Sequence, residues 1–478
     1  MNNLPFGFGP SDRDPDDEGD GQPTNPFAAF GLGGLGGPGG LGALGDLAGG
    51  AGGMPLFAEL GKLMSWTGGP VNWDLARQLA NSAVQADSAV IGEIDRTAVR
   101  DAMRLADLWL DGVTDLPSGV TTADAWSRSD WVARTLDGWA KLCDPVAARV
   151  VGAMGQALPA EMAGQLGPLG AIMGQFGGLM FGAQVGQGIA GLAAETVSSS
   201  EVGIPLGPVG TAALLPQNVR ALATELERPE DEVRLYLALR EAATHRLYQH
   251  AGWLRQHVID AVDAYSQGIT IDSSALQDVM GKLDPTNPES MQAALGEGMF
   301  TPEDTPQQQA ALARLETLLA LVEGWVDTLV DQAAGTRLAG AAALREALRR
   351  RRAAGGPAEQ TFATLVGLEL RPRRLRDAAT LWWGLTDQVG TAGRDGVWDA
   401  PDLLPTAADL DDPLDYARRV KAANDVSDDD AASIIEAFEA LTAQAAGSGT
   451  PGPAEPQAGG TPDGSDDSDD DRGPASPA

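Results

Sequence analysis

The segment Arg234–His257, RLYLALREAATHRLYQHAGWLRQH, contains all three histidines of the 478-residue chain: His245, His250 and His257. The residues before it predict the start of a helix, because Pro229 suits a first helical turn and acidic side chains follow it. Glu241 lies one helical turn before His245, so the carboxylate and the imidazole point the same way. A carboxylate beside an imidazole can bind a metal or share a proton, and this helix is therefore the first candidate for chemistry.

The usual zinc-peptidase helix reads H-E-x-x-H, in which the two histidines bind the metal and the glutamate activates its water. Aligned on Glu241, this chain has Arg240 and Thr244 at the two histidine positions, and His245 comes one residue too late. Arg240 cannot ligate zinc, because its guanidinium is permanently cationic. The strict motif is therefore broken.

A relaxed ligand set can still be built around this helix. Glu241 and His245 form an i, i+4 pair, and a carboxylate of Glu323 or Asp327 would complete it. In the alternative interpretation, the histidines are ordinary packed or surface residues and the acidic face of 316–331 is solvated. From the residues alone, both interpretations stay open.

A second long stretch, Gln165–Ala194, contains no charged residue, and its glycines recur at every fourth position: Gly170, Gly174, Gly178, Gly182 and Gly186. Such a glycine face lets another helix approach closely, as in the packing of membrane helices. The glutamines inside the stretch, and the lack of aromatic or basic flanks, favour a helix buried in a helical protein. We therefore predict a core helix and no stable membrane insertion.

Most of the remaining body also predicts helices, with Asn72 as the N-cap of one and further helices at 92–115, 122–142 and 311–334. Gly324 interrupts the last of these at a cost of about 1 kcal/mol relative to alanine, which indicates a packing or functional need. The proline and glycine punctuation of 202–219 predicts a short strand just before the histidine helix. The predicted fold is mainly α, with at most a small β element.

The chain ends differ from this body in composition. Residues 1–54 and 446–478 are rich in Gly, Pro, Asp and Ser, so we predict disordered tails flanking a helical domain at 55–445. The formal net charge is -34, and much of it lies in these tails, which disfavours binding to nucleic acid. The single cysteine, Cys143, excludes an internal disulfide and, with no basic, apolar signal segment at the N-terminus, predicts a cytoplasmic protein. The arginine cluster Arg349–Arg352 is expected to form salt bridges or to dock a tail.

Several segments resemble one known family: LPFGFG near the N-terminus, GGPVNWDLARQLA, REAATHRLYQHAGWLRQHV, EGWVDTLVDQAA, and the run from Gly367 to Pro413. They are similar to the actinobacterial zincin-like metallopeptidase family, whose members usually carry the label zinc-dependent metalloprotease. The likeness covers nearly the whole chain outside the tails. It implies a zincin-like helical body, a cytoplasmic bacterial protein and a hydrolase-like activity.

Carried over residue by residue, the resemblance places the family's site on the Glu241–His245 turn and on Glu323 and Asp327. Glu241 would be the general base or a ligand, and His245, Glu323 and Asp327 would hold Zn²⁺. The implied function is zinc-dependent hydrolysis of a peptide or protein substrate. Because Arg240 and Thr244 depart from the zinc motif, the alternative is a non-catalytic interaction or scaffold protein that retains the fold.

Overall fold

A computed structural model describes residues 69–156, 167–268, 305–335, 337–354, 370 and 372–425, with isolated positions at 363, 433, 436 and 439. The predicted tails at 1–54 and 446–478 lie outside the described residues, so the predicted domain limits stay predictions. The chain divides into two units, Met1–Arg418 and Arg419–Ala478. All named elements below belong to the first unit; in the second, residues 419–425 are helical.

Helices form nearly all of the described regular structure. In chain order they are α1 (Trp73–Gln85), α2 (Glu93–Leu110), α3 (Arg128–Gln156), α4 (Gly167–Glu195), α5 (Pro216–Glu225), α6 (Glu230–His250), α7 (Leu254–Gln267), α8 (Pro306–Ala334), α9 (Ala341–Ala354), α10 (Leu375–Asp395) and α11 (Ala407–Asp411). Two strands, β1 (Thr122–Ala125) and β2 (Thr211–Leu214), pair in parallel with Thr122 opposite Thr211. The prediction of a mainly α fold with a small β element is confirmed.

The predicted helix at 122–142 was wrong at its start. Its first residues form β1, because they find a pairing partner in β2 far along the chain. The helix start is set instead by Ser127 and Asp130: the Ser127 hydroxyl accepts from Asp130 N at 3.0 Å, and the Asp130 carboxylate accepts from Ser127 N at 3.0 Å. This reciprocal capping ends the strand region and begins α3 at Arg128.

The short strand predicted within 202–219 is present. Only Thr211–Leu214 forms a strand, and α5 begins at Pro216, where a proline is tolerated because the first helical N–H has no partner inside the helix. The strand does not lie directly before the histidine helix as predicted, because α5 lies between them; α6 begins just beyond Pro229, as predicted. It ends at His250, and Gly252 lies in the short break before α7.

Helix α4 is packed inside the body, as its glycines predicted. The described side chains of 177–195 are buried or half-buried, except Ala194. A Cβ atom added at Gly182 would lie 2.6 Å from the Asn72 carbonyl oxygen, and one at Gly186 would lie 2.8 Å from the Ala76 carbonyl oxygen, so α1 approaches as only glycine permits. Among the described helices, none is long and apolar enough to cross a membrane.

Helix α8 runs through the core, and the close packing of α10 against it accounts for the internal glycine, Gly324. A Cβ atom at Gly324 would lie 2.7 Å from the Cβ atom of Ala378, so α10 can pack here only against a glycine. Trp382 of α10 donates its indole N–H to the Leu321 carbonyl oxygen at 2.8 Å. The packing need predicted for Gly324 is confirmed, and these contacts fix α8 against α10.

Candidate functional site

Helix α6 carries a run of polar side chains inside the protein. Glu241, Thr244, His245 and Arg246 are all buried, although charged residues are seldom buried unless they are paired. Each of these groups therefore needs a partner from a neighbouring element. Arg246 finds its partners at the end of α2, where its guanidinium contacts Asp107 at 3.0 Å and the residue that caps the helix, Asp111, at 2.6 Å.

The Glu241 carboxylate is held by donors from three directions. The Ser199 hydroxyl donates to Oε1, and the Ser200 hydroxyl and backbone N–H donate to Oε2 at 2.5 and 3.2 Å. The backbone N–H of Ala213 in β2 contacts Oε1 at 3.4 Å. The imidazole Nε2 of His245 lies 3.3 Å from the same oxygen. Glu241 thus joins α6 to β2 and to the loop after α4.

These contacts decide the protonation state of Glu241. Burial on its own acts to raise the pKa of a carboxyl group, because it penalises the charged form. Here the hydrogen bond and charge of His245, together with the hydroxyls of Ser199 and Ser200, outweigh burial and hold the pKa of Glu241 below its usual value. The carboxylate stays ionised at neutral pH.

The three histidines do not converge. His245 contacts Glu241, and its backbone carbonyl lies against Gly119, where an added Cβ atom would come within 2.1 Å of that oxygen. His250 contacts the exposed Asp399 at 2.9 Å, and His257 packs edge-on against the Trp253 ring. The interpretation of His250 and His257 as packed or surface residues fits these contacts.

Glu323 lies buried on α8 between two arginines. Arg240, at the first histidine position of the zinc motif, donates to Oε2 of Glu323, and Arg352 of α9 contacts Oε1 at 3.4 Å. Burial on its own would lower the pKa of Arg240, but Glu323 leads a set of neighbouring groups that raise it. Arg240 is therefore a permanent cation at the position that the first histidine of the zinc motif would occupy.

Asp327, one turn further along α8, is also enclosed by arginines. Its carboxylate contacts Arg345 at 2.9 Å and Arg349 at 2.5 Å, and Asp331 contacts Arg345 at 2.9 Å. The acidic face predicted for this helix is therefore neutralised internally at Asp327 and is not a solvated face there. The salt bridges expected for the cluster Arg349–Arg352 are present.

A small cavity lies between α6, α8, α9 and the loop after α4. Its volume is about 30 Å³, space for one or two waters, and its lining includes Arg240, Glu241, Thr244 and Glu323. His245 and Asp327 are not part of this lining. The predicted site residues therefore do not share one site. Glu241 and Glu323 line the cavity, whereas His245 contacts Glu241 from outside it and Asp327 pairs with arginines of α9.

The arrangement does not fit the zinc set that the resemblance implies. Zinc is held by three or four ligands with free lone pairs, but Glu323 and Asp327 are each occupied by two guanidiniums. The Tyr236 hydroxyl is buried without a hydrogen-bond partner, and burial raises its pKa, so it stays a protonated donor. Within the described ranges, no group of three or more His, Cys, Asp or Glu side chains could hold a metal ion.

Sequence reasoning did not identify Ser199, Ser200 and Arg345 as parts of this site. The serines belong to a polar run, SSSE at 198–201, that begins three residues after the end of the apolar helix α4. A polar run between buried elements signals that a polar partner must be close. Nothing local identifies the partner, because Glu241 is about 40 residues away.

Comparison with known proteins agrees with the resemblance. Residues 71–417 match the zincin-like metallopeptidase family. A crystal structure from Chloroflexus aurantiacus, provisionally described as a hydrolase with a novel fold, has a TM-score of 0.51 at 18% identity, covering 73% of this chain and 98% of that one. At that identity the likeness shows a shared fold alone. No curated protein matches the chain. Since the family match spans most of the sequence, this chain belongs to the zincin-like metallopeptidase family.

Proposed function

We propose that this chain is a non-catalytic interaction protein that retains a zincin-like fold. The observation that carries the proposal is the ion pair between Arg240 and Glu323. A permanently charged guanidinium stands at a metal-ligand position of the motif and engages a carboxylate that would otherwise be available to a metal. The Glu323 carboxylate is therefore neutralised by arginines, with no need for a zinc ion.

The local charge balance supports this proposal. Three carboxylates of α8 face four guanidiniums: Glu323, Asp327 and Asp331 against Arg240, Arg345, Arg349 and Arg352. A divalent cation placed here would meet repulsion from arginines that cannot lose their protons. Bringing Zn²⁺ to these carboxylates would also separate them from buried and half-buried guanidiniums, which is costly.

The state of Glu241 argues in the same direction. A general base works best with a pKa near the working pH, and enzymes often raise the pKa of a glutamate to reach it. The contacts with His245, Ser199 and Ser200 hold the pKa of Glu241 low instead. Its oxygens are filled by donors, so Glu241 serves as a structural tie between α6 and its neighbours.

The dimensions of the described cavities favour binding away from α6. The cavity beside Glu241 measures about 30 Å³, whereas a groove formed by α7, α8 and residues 401–407 measures about 440 Å³. Small-molecule and cofactor sites commonly measure about 300–1,000 Å³. A binding partner could therefore use this groove without any enlargement of the small cavity beside Glu241.

The competing candidate is a zinc-dependent metallopeptidase acting on a peptide or protein substrate. In that proposal His245, Glu323 and Asp327 hold Zn²⁺ and Glu241 is the base. Family membership and the contact between Glu241 and His245 favour it. It requires the arginine pairs of Glu323 and Asp327 to separate.

Metal analysis of the purified full chain distinguishes the two. After reconstitution with excess Zn²⁺ and gel filtration, we expect far less than one zinc per chain and a melting temperature unaffected by EDTA. Any ligand bound by the folded state would raise that temperature. About one tightly bound zinc per chain, lost with a fall in melting temperature on chelation, would overturn the non-catalytic proposal.

A further inference from the structure

We infer that a pocket between α3, α7 and the loop joining α4 to β2 binds a small organic anion, with its charged head at the pocket's cations and its apolar body against buried side chains. The pocket has a volume of about 320 Å³, within the range of small-molecule sites. It shares no lining residue with the cavity beside Glu241. The inference therefore goes beyond the proposed function and does not depend on it.

The pocket carries more positive than negative groups. Arg134 and Lys141 of α3 and Arg255 of α7 line it, and Asp137 is the one acid among the described residues of the lining. The chain as a whole has a net charge of -34, so this local excess of cations runs against the charge of the molecule. Exposed charges more than about 8 Å away are largely screened at physiological salt, so these nearby groups govern a ligand in the pocket.

The two cations of α3 are not held in strong ion pairs. Lys141 is exposed and has no hydrogen-bond or ion-pair partner among the described residues. Arg134 lies 3.8 Å from Asp124, and both side chains are partly open to solvent, where such a pair contributes little. Both groups can therefore interact with an anion in the pocket.

Arg255 is half-buried without a carboxylate beside it. Its guanidinium donates to the Pro205 carbonyl oxygen and lies over the Tyr248 ring at 6.0 Å, and no carboxylate is among its described contacts. Burial lowers the pKa of Arg255, because it penalises the charged form, although a guanidinium stays protonated at neutral pH. A bound anion would offset this penalty and would accept from the remaining guanidinium N–H groups.

The rest of the lining is apolar and already in position. The loop lies close against α3, since a Cβ atom added at Gly138 would lie 2.6 Å from the Leu206 carbonyl oxygen. The Tyr248 hydroxyl also fixes the loop by donating to the Gly203 carbonyl oxygen at 2.9 Å. A preformed pocket loses little entropy on binding. Its buried apolar side chains, which suit an aliphatic or aromatic body, are Leu142, Ile204, Leu206 and Val258.

The probe for this site is octanoate, which joins a carboxylate to an apolar body, titrated into the full chain by calorimetry. We expect one site per chain with a dissociation constant of about 1 mM or below, the range for a ligand of about ten non-hydrogen atoms. Butyrate should bind at least about tenfold more weakly, because about four buried methylene groups are lost. Octylammonium, with the same body and the opposite charge, should not bind. Octyl phosphate distinguishes a phosphate head from a carboxylate head, and saturable binding of either supports the site.

Two substitutions in α3 should change octanoate affinity in opposite directions. Lys141→Gln removes a cation of the pocket and should weaken binding about threefold or more, whereas Asp137→Asn removes its carboxylate and should strengthen binding by a similar factor. Both side chains are exposed and lack a partner in the described part of the chain, so the fold should be kept. The matched control is Arg104→Gln on α2, which removes an exposed cation outside the pocket lining and should leave the affinity unchanged.

Salt gives a test that needs no substitution. Raising the ionic strength should weaken the binding of octanoate to the natural chain and leave the binding of octanol unaffected, because only the carboxylate is attracted by charge. Absence of saturable octanoate binding, or affinity that neither salt nor the two α3 substitutions alter, would overturn the site. Equal affinity for octylammonium would also overturn it, since the apolar lining alone would then account for binding. None of these results bears on zinc content, which decides the proposed function separately.

Discussion

The half-buried Arg240 of α6 and the buried Glu323 of α8 form an ion pair at the point where a zinc peptidase helix would place its first metal ligand. The pair does more than fill a site, because it joins the two helices that form the centre of the body. Glu323 also contacts Arg352 at 3.4 Å, so the same carboxylate ties α9 to this centre. The stability of the three helices therefore depends on one acidic group.

The first prediction concerns that group. Glu323→Gln leaves the buried Arg352 and the half-buried Arg240 beside a neutral amide, and breaking a buried ion pair typically costs about 3–5 kcal/mol. We expect the free energy of unfolding, measured by urea titration, to fall by about 3 kcal/mol. The matched control is Glu346→Gln, which also removes a carboxylate shared by two arginines, but on the exposed surface. Its effect should stay within about 1 kcal/mol.

A double-mutant cycle with Arg240→Met isolates the pair itself. A coupling energy near zero, or equal losses for Glu323→Gln and Glu346→Gln, would show that the contact does not hold α6 to α8. A strong coupling would show that the arginine has become a structural element of the fold.

The second prediction is a dependence on pH. Because the folded state lowers the pKa of Glu241, its ionised form contributes stability above the unfolded pKa of about 4.3, and this contribution is lost as pH falls through the folded value. Glu241→Gln cannot ionise. The difference in unfolding free energy between the natural chain and this variant should therefore be largest near neutral pH and should shrink as the solution becomes acidic.

Urea titrations from pH 7 to below pH 4 measure this difference. The double variant Ser199→Ala/Ser200→Ala keeps the carboxylate but removes two hydroxyl donors, so its carboxyl pKa should rise and its stability should fall off at higher pH. A difference that grows on acidification would contradict the assignment of a lowered pKa.

Local signals explain which parts of this fold could be predicted. Asn72 caps α1, with its side chain accepting from Leu75 N at 3.0 Å, and Pro229 precedes α6 as expected. Each signal acts within a turn of its own residue. Strand β1 could not be predicted in the same way, because what makes it a strand is its pairing with β2 almost 90 residues later. In that segment, pairing with a distant strand outweighed the local preference for a helix.

The candidate site shows the same limit. The mismatch of Arg240 and Thr244 with the zinc motif was visible in the sequence, since it concerns residue types alone. That Arg240 would pair with Glu323 was not, because the two are 83 residues apart and meet only when α6 packs on α8. A carboxylate on a predicted helix face can equally be solvated, paired or metal-bound. Its neighbours across the interface decide which.

The third prediction tests the approach of Gly119 to the site. A Cβ atom there would come within 2.1 Å of the His245 carbonyl oxygen and 2.5 Å of its carbon, both backbone atoms that cannot move aside easily. Gly119→Ala should lower the free energy of unfolding by about 1–3 kcal/mol. Gly252→Ala is the control, because an added Cβ atom meets nothing within 4 Å, and its effect should stay within about 0.5 kcal/mol. Equal effects of the two changes would mean that the segment around Gly119, between α2 and β1, is not in tight contact with the backbone of α6.

The last prediction compares the same change, glycine to alanine, at a tightly packed position of α4 and at an open position of α3. Gly186→Ala places a Cβ atom 2.8 Å from the Ala76 carbonyl oxygen, so α1 must move away from α4, and we expect a loss of about 1–3 kcal/mol in unfolding free energy. Gly152→Ala is the control in α3: its added Cβ atom meets nothing within 4 Å, so better helix propensity should stabilise the protein by up to about 1 kcal/mol. Opposite signs would show that the glycines of α4 serve close helix packing. If both changes stabilised the chain, the contact between α1 and α4 would have to be looser than 2.8 Å implies, and the glycine spacing would need another explanation.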